Sequence, residues 1–287
     1  MIRISQIKME LFHKEEEIKK AAAKLLHLDS SVISDFLIER RSIDARKKPK
    51  LYFVYSVYLS LKGVNEEKLV KKLRSKDIVL TAPVRYKAPE LPLDIEGVAR
   101  EEYFQKEENR PVIVGFGPAG MFSGLLLARA GLRPIIYERG QAVEKRQEAV
   151  ARLWTEGKLD PNSNPQFGEG GAGTFSDGKL NTLVKDSCGR SRFVLETFVH
   201  YGAKEEILYD AKPHVGTDAL ISIVASLRKE IESLGGEVRF ESQYHFEKKE
   251  KRPLIIAIGH SARDSFRELH ALGYPMVAKD FAMGFRV

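Results

Sequence analysis

The sequence predicts an α/β fold in two parts, a small α+β sandwich followed by a parallel sheet flanked by helices. Three observations predict it. The formal charge of the 287-residue chain, +7, sits wholly in its first 80 residues, which hold 18 Lys and Arg against 11 Asp and Glu, while the rest balances at 29 against 29. Within that basic block the hydrophobic period switches in the order strand, helix, strand, strand, helix. Beyond it, the turn Gly115-Phe116-Gly117-Pro118-Ala119-Gly120 falls between an apolar run and a helical one.

The first block is read from its periodicity. Ile2, Ile4 and Ile7 lie in a short strand. Glu15–His27 reads as a helix, with Ile18, Ala22 and Leu25 three or four apart and acids at its positive end. Ser34–Ala45 and Leu51–Leu61 read as strands. In the second of these, Leu51, Phe53, Tyr55, Val57, Leu59 and Leu61 alternate strictly, so one face is buried. Arg46-Lys47-Lys48-Pro49-Lys50 forms the polar turn between them. Asn65 caps a second helix to about Leu73, and Ile78–Leu80 is one more strand. That β-α-β-β-α-β order suits a ferredoxin-like α+β domain over residues 1–82.

Residues 83–109, rich in proline and acids, read as a linker, which leaves 110–287 as the second domain. The longest apolar runs, such as Leu254–Ile258, fall far short of the ~20 residues that cross a bilayer, so no membrane span is expected. Met1–Glu17 has no apolar core of a secretory signal. One cysteine, Cys188, allows neither an internal disulfide nor a CxxC pair, and the histidines lack the spacing of a metal site. The composition, 43% hydrophobic and 30% charged, fits a folded cytoplasmic protein. The basic block suits nucleic acid, an acidic partner or an anionic ligand, and equally a solvated face. Tyr52, Tyr55 and Tyr58 have the chemistry to stack on bases, although Tyr55 belongs to the apolar face.

The second domain opens on Pro111–Val114, an apolar strand. The Gly115–Gly120 turn follows, then a helix over Met121–Ala130 ending at Gly131, then the strand Pro134–Tyr137 and Glu138. A GxGxxG alone is weak evidence. Set between strand and helix in a unit of about 30 residues, with an acid 23 positions after the first glycine, it is a dinucleotide fingerprint on a Rossmann-type sheet. Gly115 permits the tight turn, Gly117 lets the backbone approach a pyrophosphate, and Gly120 lets helix and strand pack closely. The N-terminus of that helix offers free N–H groups and its positive dipole end to the phosphates, and Pro118 and Ala119 of the turn are candidate cofactor contacts. Glu138 suits a ribose without a 2′-phosphate.

Four stretches carry a resemblance: the fingerprint with Glu138-Arg139-Gly140; the loop Gly168–Thr182, with Gly171, Ala172, Gly173, Thr174, Asp177 and Lys179; Lys212–Asp218; and Leu254–Asp264, with Ile258, Gly259 and His260. On these the sequence resembles the glutathione-reductase-like FAD superfamily, and most closely the NAD(FAD)-utilising, or FAD-dependent, dehydrogenases. The resemblance implies FAD as cofactor, with the glycine loop lining its pyrophosphate and approaching the flavin, and with the strand end at Ile258–His260 near the dinucleotide. It implies an FAD-dependent oxidoreductase passing hydride or electrons between a small-molecule substrate and the flavin, with NAD(P)H as a transient donor. Asp177 and Lys179 become candidates to act near the flavin; His214 and His260 contact ligand or serve the fold. No catalytic residue is assigned. A flavin-dependent RNA-modifying enzyme using the basic block, or a non-catalytic dinucleotide-binding module, are the alternatives.

The sequence also departs from that family. Disulfide reductases of the superfamily carry a cysteine pair after the fingerprint, where this chain has residues such as Phe175 and Ser176. The family's three-stranded meander has only Glu241–Arg252 to occupy, too few residues for three strands, and the chain stops at Phe285-Arg286-Val287 in mid-strand by its pattern. It is expected to be part of a larger polypeptide or to lack internal segments.

Overall fold

A computed structural model describes residues 1–46, 49–92, 94–95, 97–175, 178–180, 182 and 184–280. In chain order the elements are β1 (Ile2–Met9), α1 (Glu15–Leu25), β2 (Ile33–Asp44), β3 (Tyr52–Leu61), α2 (Glu66–Leu73), β4 (Ile78–Leu80), β5 (Asp94–Ile95), β6 (Val98–Ala99) and α3 (Arg100–Tyr103). Then come β7 (Val112–Val114), α4 (Pro118–Arg129), β8 (Ile135–Tyr137), α5 (Val143–Glu156), α6 (Arg190–His200), α7 (Thr217–Ser233), β9 (Glu237–Arg239), β10 (Leu254–Ile256) and α8 (Arg263–Ala271). By packing, the chain divides into two compact units, Met1–Lys87 with Asp177–Ala219, and Ala88–Ser176 with Leu220–Val287.

The first unit is built on an antiparallel sheet in the order β2-β3-β1-β4. Its core follows much of the alternation read from the sequence: Ile2, Ile4, Tyr55, Val57 and Leu59 pack with Ile18, Ala22 and Leu26, whereas Leu25 and Leu51, expected on the buried faces, are exposed. A register shift between Ile4 and Ile7 marks a bulge, and Gln6 within it has φ +61°, a conformation that non-glycine residues seldom adopt. The Asn65 side chain accepts from the Lys68 N–H at 2.9 Å, capping α2 as expected. Tyr55 and Tyr58 are buried in the sheet. Residues 177–219, expected in the second domain, cluster with this unit instead, as do residues 83–87 of the expected linker. The rest of that linker carries the small β5–β6 hairpin and α3. Chain continuity suggested one boundary near residue 110, whereas the contacts of 177–219 create a return crossing that periodicity does not encode.

The second unit holds a parallel sheet in the order β10-β7-β8-β9. Alternation sends Ile113 and Ile136 to one face, where a Cβ on Gly124 of α4 would lie 2.7 Å from Ile136 Cδ1 and 3.2 Å from Ile231 Cδ1 of α7. Val112 and Val114 face the other side and pack with Phe246 and Leu269 of α8. No strand forms between β9 and β10. From β7 the chain moves to β8 on one side, while β10 lies on the other. The sheet order therefore reverses at β7, and α/β sheets bind ligands outside the carboxyl ends of the strands at such a point. Among the described residues no helix is long and apolar enough to cross a membrane.

Candidate functional site

A cleft of about 400 Å³ opens at that reversal, within the second unit. Its volume lies in the range of small-ligand sites. The carboxyl end of β7 supplies Val114 and Gly115, α4 supplies Pro118 and Ala119 behind Gly117, and β8 leads to Tyr137, Glu138 and Arg139. Opposite stand Ala257–Ala262 after β10, and Ser242, Gln243 and Tyr244 after β9; the glycine loop adds Gly168, Gly171 and Ala172.

The fingerprint turn is set by close backbone approaches. Gly115 has φ +99°, and a Cβ there would lie 2.5 Å from the Ala257 carbonyl oxygen. A Cβ on Gly120 would run into the Gly115 carbonyl oxygen, so α4 can begin this close to β7 only with glycine there. Gly117 differs: a Cβ there would meet only the Gly171 Cα, at an ordinary 3.7 Å. The fold does not require glycine at 117. The first turn of α4 leaves the Ala119 and Gly120 N–H groups without intrahelical acceptors, at the positive end of a 12-residue helix.

Glu138 lines the cleft, yet its carboxylate is already engaged. Oε2 accepts from the Phe116 N–H at 2.8 Å, and Oε1 accepts from Gly140 at 2.8 Å and Gly168 at 3.1 Å. One carboxylate thus holds the fingerprint turn, its own turn and the glycine loop together, and Oε2 keeps a lone pair for a further donor. Arg139 is anchored beside it, donating to Asp264 Oδ1 at 3.0 Å and Ser265 Oγ at 3.1 Å, with its guanidinium 4.7 Å from the centre of the Phe167 ring.

Sequence reasoning missed the residues that hold the glycine loop. Arg146 of α5 is fully buried and gives five hydrogen bonds to four carbonyls: Asn164 (3.1 and 3.0 Å), Gly168 (3.3 Å), Glu169 (2.6 Å) and Gly171 (2.9 Å). Burial pulls its guanidinium down to about 10. Glu169 is likewise fully buried; its Oε2 accepts from the Val143 N–H at 2.7 Å and its Oε1 from Arg228 Nε at 2.9 Å. Burial pushes its carboxyl up to about 7 against both of those donors. The available signal was Arg146 on the buried stripe of α5, three residues after Val143 and three before Ala149. A cation on an apolar stripe has a buried partner or a reason to be there.

Of the residues expected in the site, Gly115, Gly117, Pro118, Ala119, Glu138 and Arg139 line the cleft, as do Gly171, Ala172, Ile258, Gly259 and His260. Gly120 supports the turn from beneath. Gly173 and Thr174 belong to the loop's closing 3₁₀ turn, where Thr174 is buried. Lys179 lies in the first unit, bridged to His214, and Asp177 lies outside the described residues. Among the described residues no cluster of His, Cys, Asp or Glu could hold a metal ion.

A family model described as a domain of unknown function (DUF8436) matches residues 1–60. A protein of Clostridium beijerinckii, described as an uncharacterized protein, is 42% identical over 301 residues, an alignment covering all of this chain and 54% of that relative. The chain therefore spans about half the length of the curated relative it matches, and that likeness runs through both the basic block and the cleft.

Proposed function

We propose that the second unit is a Rossmann-type FAD-binding domain, that the first is a ferredoxin-like domain, and that the protein is an FAD-dependent oxidoreductase. The observation that carries the reading is the placing of Gly117 and the first turn of α4 in a cleft at the reversal of a parallel sheet. The site fits a dinucleotide. Gly117 has room that no packing in the fold demands, the free N–H groups of α4 suit a diphosphate, and Glu138 faces the cleft where a ribose hydroxyl can donate to its remaining lone pair. FMN lacks the adenosine ribose, so Glu138 favours FAD. When bound, the flavin supplies hydride and electron transfer that no side chain provides. This chain's own residues bind and orient it: Gly117 admits the diphosphate, Glu138 holds the ribose, and Ile258–His260 close the opposite wall.

The full-length protein should purify yellow with FAD, and anaerobic NADH or NADPH should bleach its absorbance. Colourless protein that takes up no flavin on incubation with FAD overturns the reading. Flavin that binds but accepts electrons from no donor leaves a dinucleotide-binding module. The +7 charge confined to residues 1–80 favours a second reading, a flavoenzyme acting on RNA, which salt-dependent RNA retention would support.

A further inference from the structure

We propose that Arg146 is the positioning residue of the cleft: buried beneath the glycine loop, it fixes the loop wall that a ligand meets without reaching the ligand itself. The part that concerns cofactor affinity rests on the FAD reading; the part that concerns the loop does not.

The loop needs such a residue. Gly168, Gly170, Gly171 and Gly173 within six positions give the chain more backbone freedom than any other composition, and ordering each residue costs about 1–2 kcal/mol in conformational entropy. Yet its polar groups are paired. The Gly168 N–H donates to Glu138 Oε1, Glu169 to the Gln141 carbonyl at 3.1 Å, Gly170 to Phe116 at 2.9 Å and Gly171 to Gly168 at 3.0 Å. The carbonyls of Gly168, Glu169 and Gly171 all converge on Arg146.

Arg146 spends its donors on nothing else. No carboxylate lies within ion-pairing distance of it among the described residues; Glu138 and Glu169 only supply a favourable field. A charge buried this way costs free energy unless its donors are satisfied, and here backbone carbonyls satisfy them. Its place is also specific to arginine. Nε, Nη1 and Nη2 of one planar fork reach carbonyls from Asn164 to Gly171 at once, Nη1 shared among three of them, a spread that the compact ammonium of a lysine does not match. The backbone accommodates the fork: a Cβ on Gly168, at φ +114°, would lie 2.5 Å from Arg146 Cδ.

What Arg146 holds is what the cleft presents. Gly168 and Gly171 line the cleft, and a Cβ on Gly171 would stand 3.0 Å from Pro118 Cδ and 3.2 Å from the Gly117 Cα. Displacing the loop therefore changes the gap over the start of α4. Arg146 itself is absent from the cleft surface.

The test compares Arg146→Ala and Arg146→Lys with the unaltered chain, first without ligand. Amide hydrogen exchange over residues 163–175 should rise about tenfold or more in both variants, with β7 and β8 still protected. Millimolar guanidinium ion should restore protection in Arg146→Ala, whose cavity it fits, and not in Arg146→Lys. The FAD dissociation constant should rise about tenfold in Arg146→Ala and recover with the same ion. Unchanged loop exchange, or a lysine variant indistinguishable from the unaltered chain, overturns the proposal. So does loss of protection in β7 and β8 in both variants, which makes Arg146 a determinant of the whole unit. Absence of FAD binding by the unaltered chain defeats the FAD reading alone, because the exchange and its rescue are read without cofactor.

Discussion

Arg41 and Asp210, 169 positions apart, form a two-point ion pair in the first unit, with Nε 2.6 Å from Oδ1 and Nη2 3.0 Å from Oδ2. The backbone joins at the same place: the Arg41 N–H donates to the Tyr209 carbonyl at 2.6 Å, and the Ala211 N–H to the Arg41 carbonyl at 2.9 Å. The guanidinium also lies 5.2 Å from the Phe53 ring centre and 5.1 Å from that of Tyr209. Residues 209–211 thus extend the sheet along the outer edge of β2, an edge that would otherwise present unpaired backbone groups.

The pair should contribute measurably to the first unit. Its side chains are 25% and 32% exposed, so solvent screens it less than a surface pair, and Asp210 holds the Arg41 guanidinium above its ordinary range. Arg41→Ala should destabilise the protein by about 1–2 kcal/mol. A double-mutant cycle with Asp210→Ala, followed by denaturant unfolding, should give a coupling of about 1 kcal/mol. Strict additivity would show that the two side chains do not act together.

This contact also shows where sequence reading stops. The strands and helices of the first 80 residues were legible because each buries one face at a fixed period, as Tyr55, Val57 and Leu59 do in β3. The turn was legible because Gly115 and Gly120 each answer a local backbone demand, whereas Gly117, with no neighbour closer to a Cβ than 3.7 Å, answers none. Arg41 meeting Asp210 answers no local demand, so residues 177–219 were read as continuing the second domain. Arg146 was silent for the same reason. Its partners are carbonyls of a loop 18–25 positions away, and carbonyls carry no residue identity. Glu138 was legible as an acid at a strand end, but its three backbone donors depend on how Phe116, Gly140 and Gly168 converge.

The glycines of the fingerprint should separate folding from binding. Gly120→Ala forces a Cβ into the Gly115 carbonyl oxygen and should cost about 3 kcal/mol or more. Gly117→Ala meets only an ordinary contact and should cost less than about 1 kcal/mol, as a poorer N-cap. That same variant should weaken FAD by about tenfold or more, and Gly117→Val by more again. Thermal melts with flavin titration read both quantities. A Gly117→Ala protein that binds FAD as tightly as the unaltered chain removes the diphosphate from that position.

Thiol chemistry should not be needed for turnover. Cys188 is the one cysteine of these 287 residues, exposed and in the first unit, so no other residue within them offers it a thiol. Cys188→Ser should keep the rate of flavin reduction within about threefold. Loss of reduction in a variant that folds and binds FAD normally would assign the thiol a role.

Glu169 should give the second unit a pH dependence of definite sign. Burial raises its carboxyl from 4.5 to about 7 in the folded chain, so between these values the folded state holds a proton that the unfolded state releases. Its contribution to stability is therefore fully present below about pH 4.5 and is lost as pH rises through about 7. Glu169→Gln stays neutral throughout, so the melting temperature of the unaltered protein should fall relative to the variant between about pH 5 and pH 8. Arg228 acts in the opposite sense. Its Nε lies 2.9 Å from Glu169 Oε1 and its Nη2 lies 2.6 Å from Glu144 Oε1, and its charge favours the ionised carboxylate. Arg228→Met should therefore push the Glu169 carboxyl higher still and move the decline to more alkaline pH, and adding Glu169→Gln should abolish that movement. Parallel melting curves for the unaltered protein and Glu169→Gln across this range would mean that Glu169 does not titrate there, and that its bonds to Val143 and Arg228 outweigh its burial.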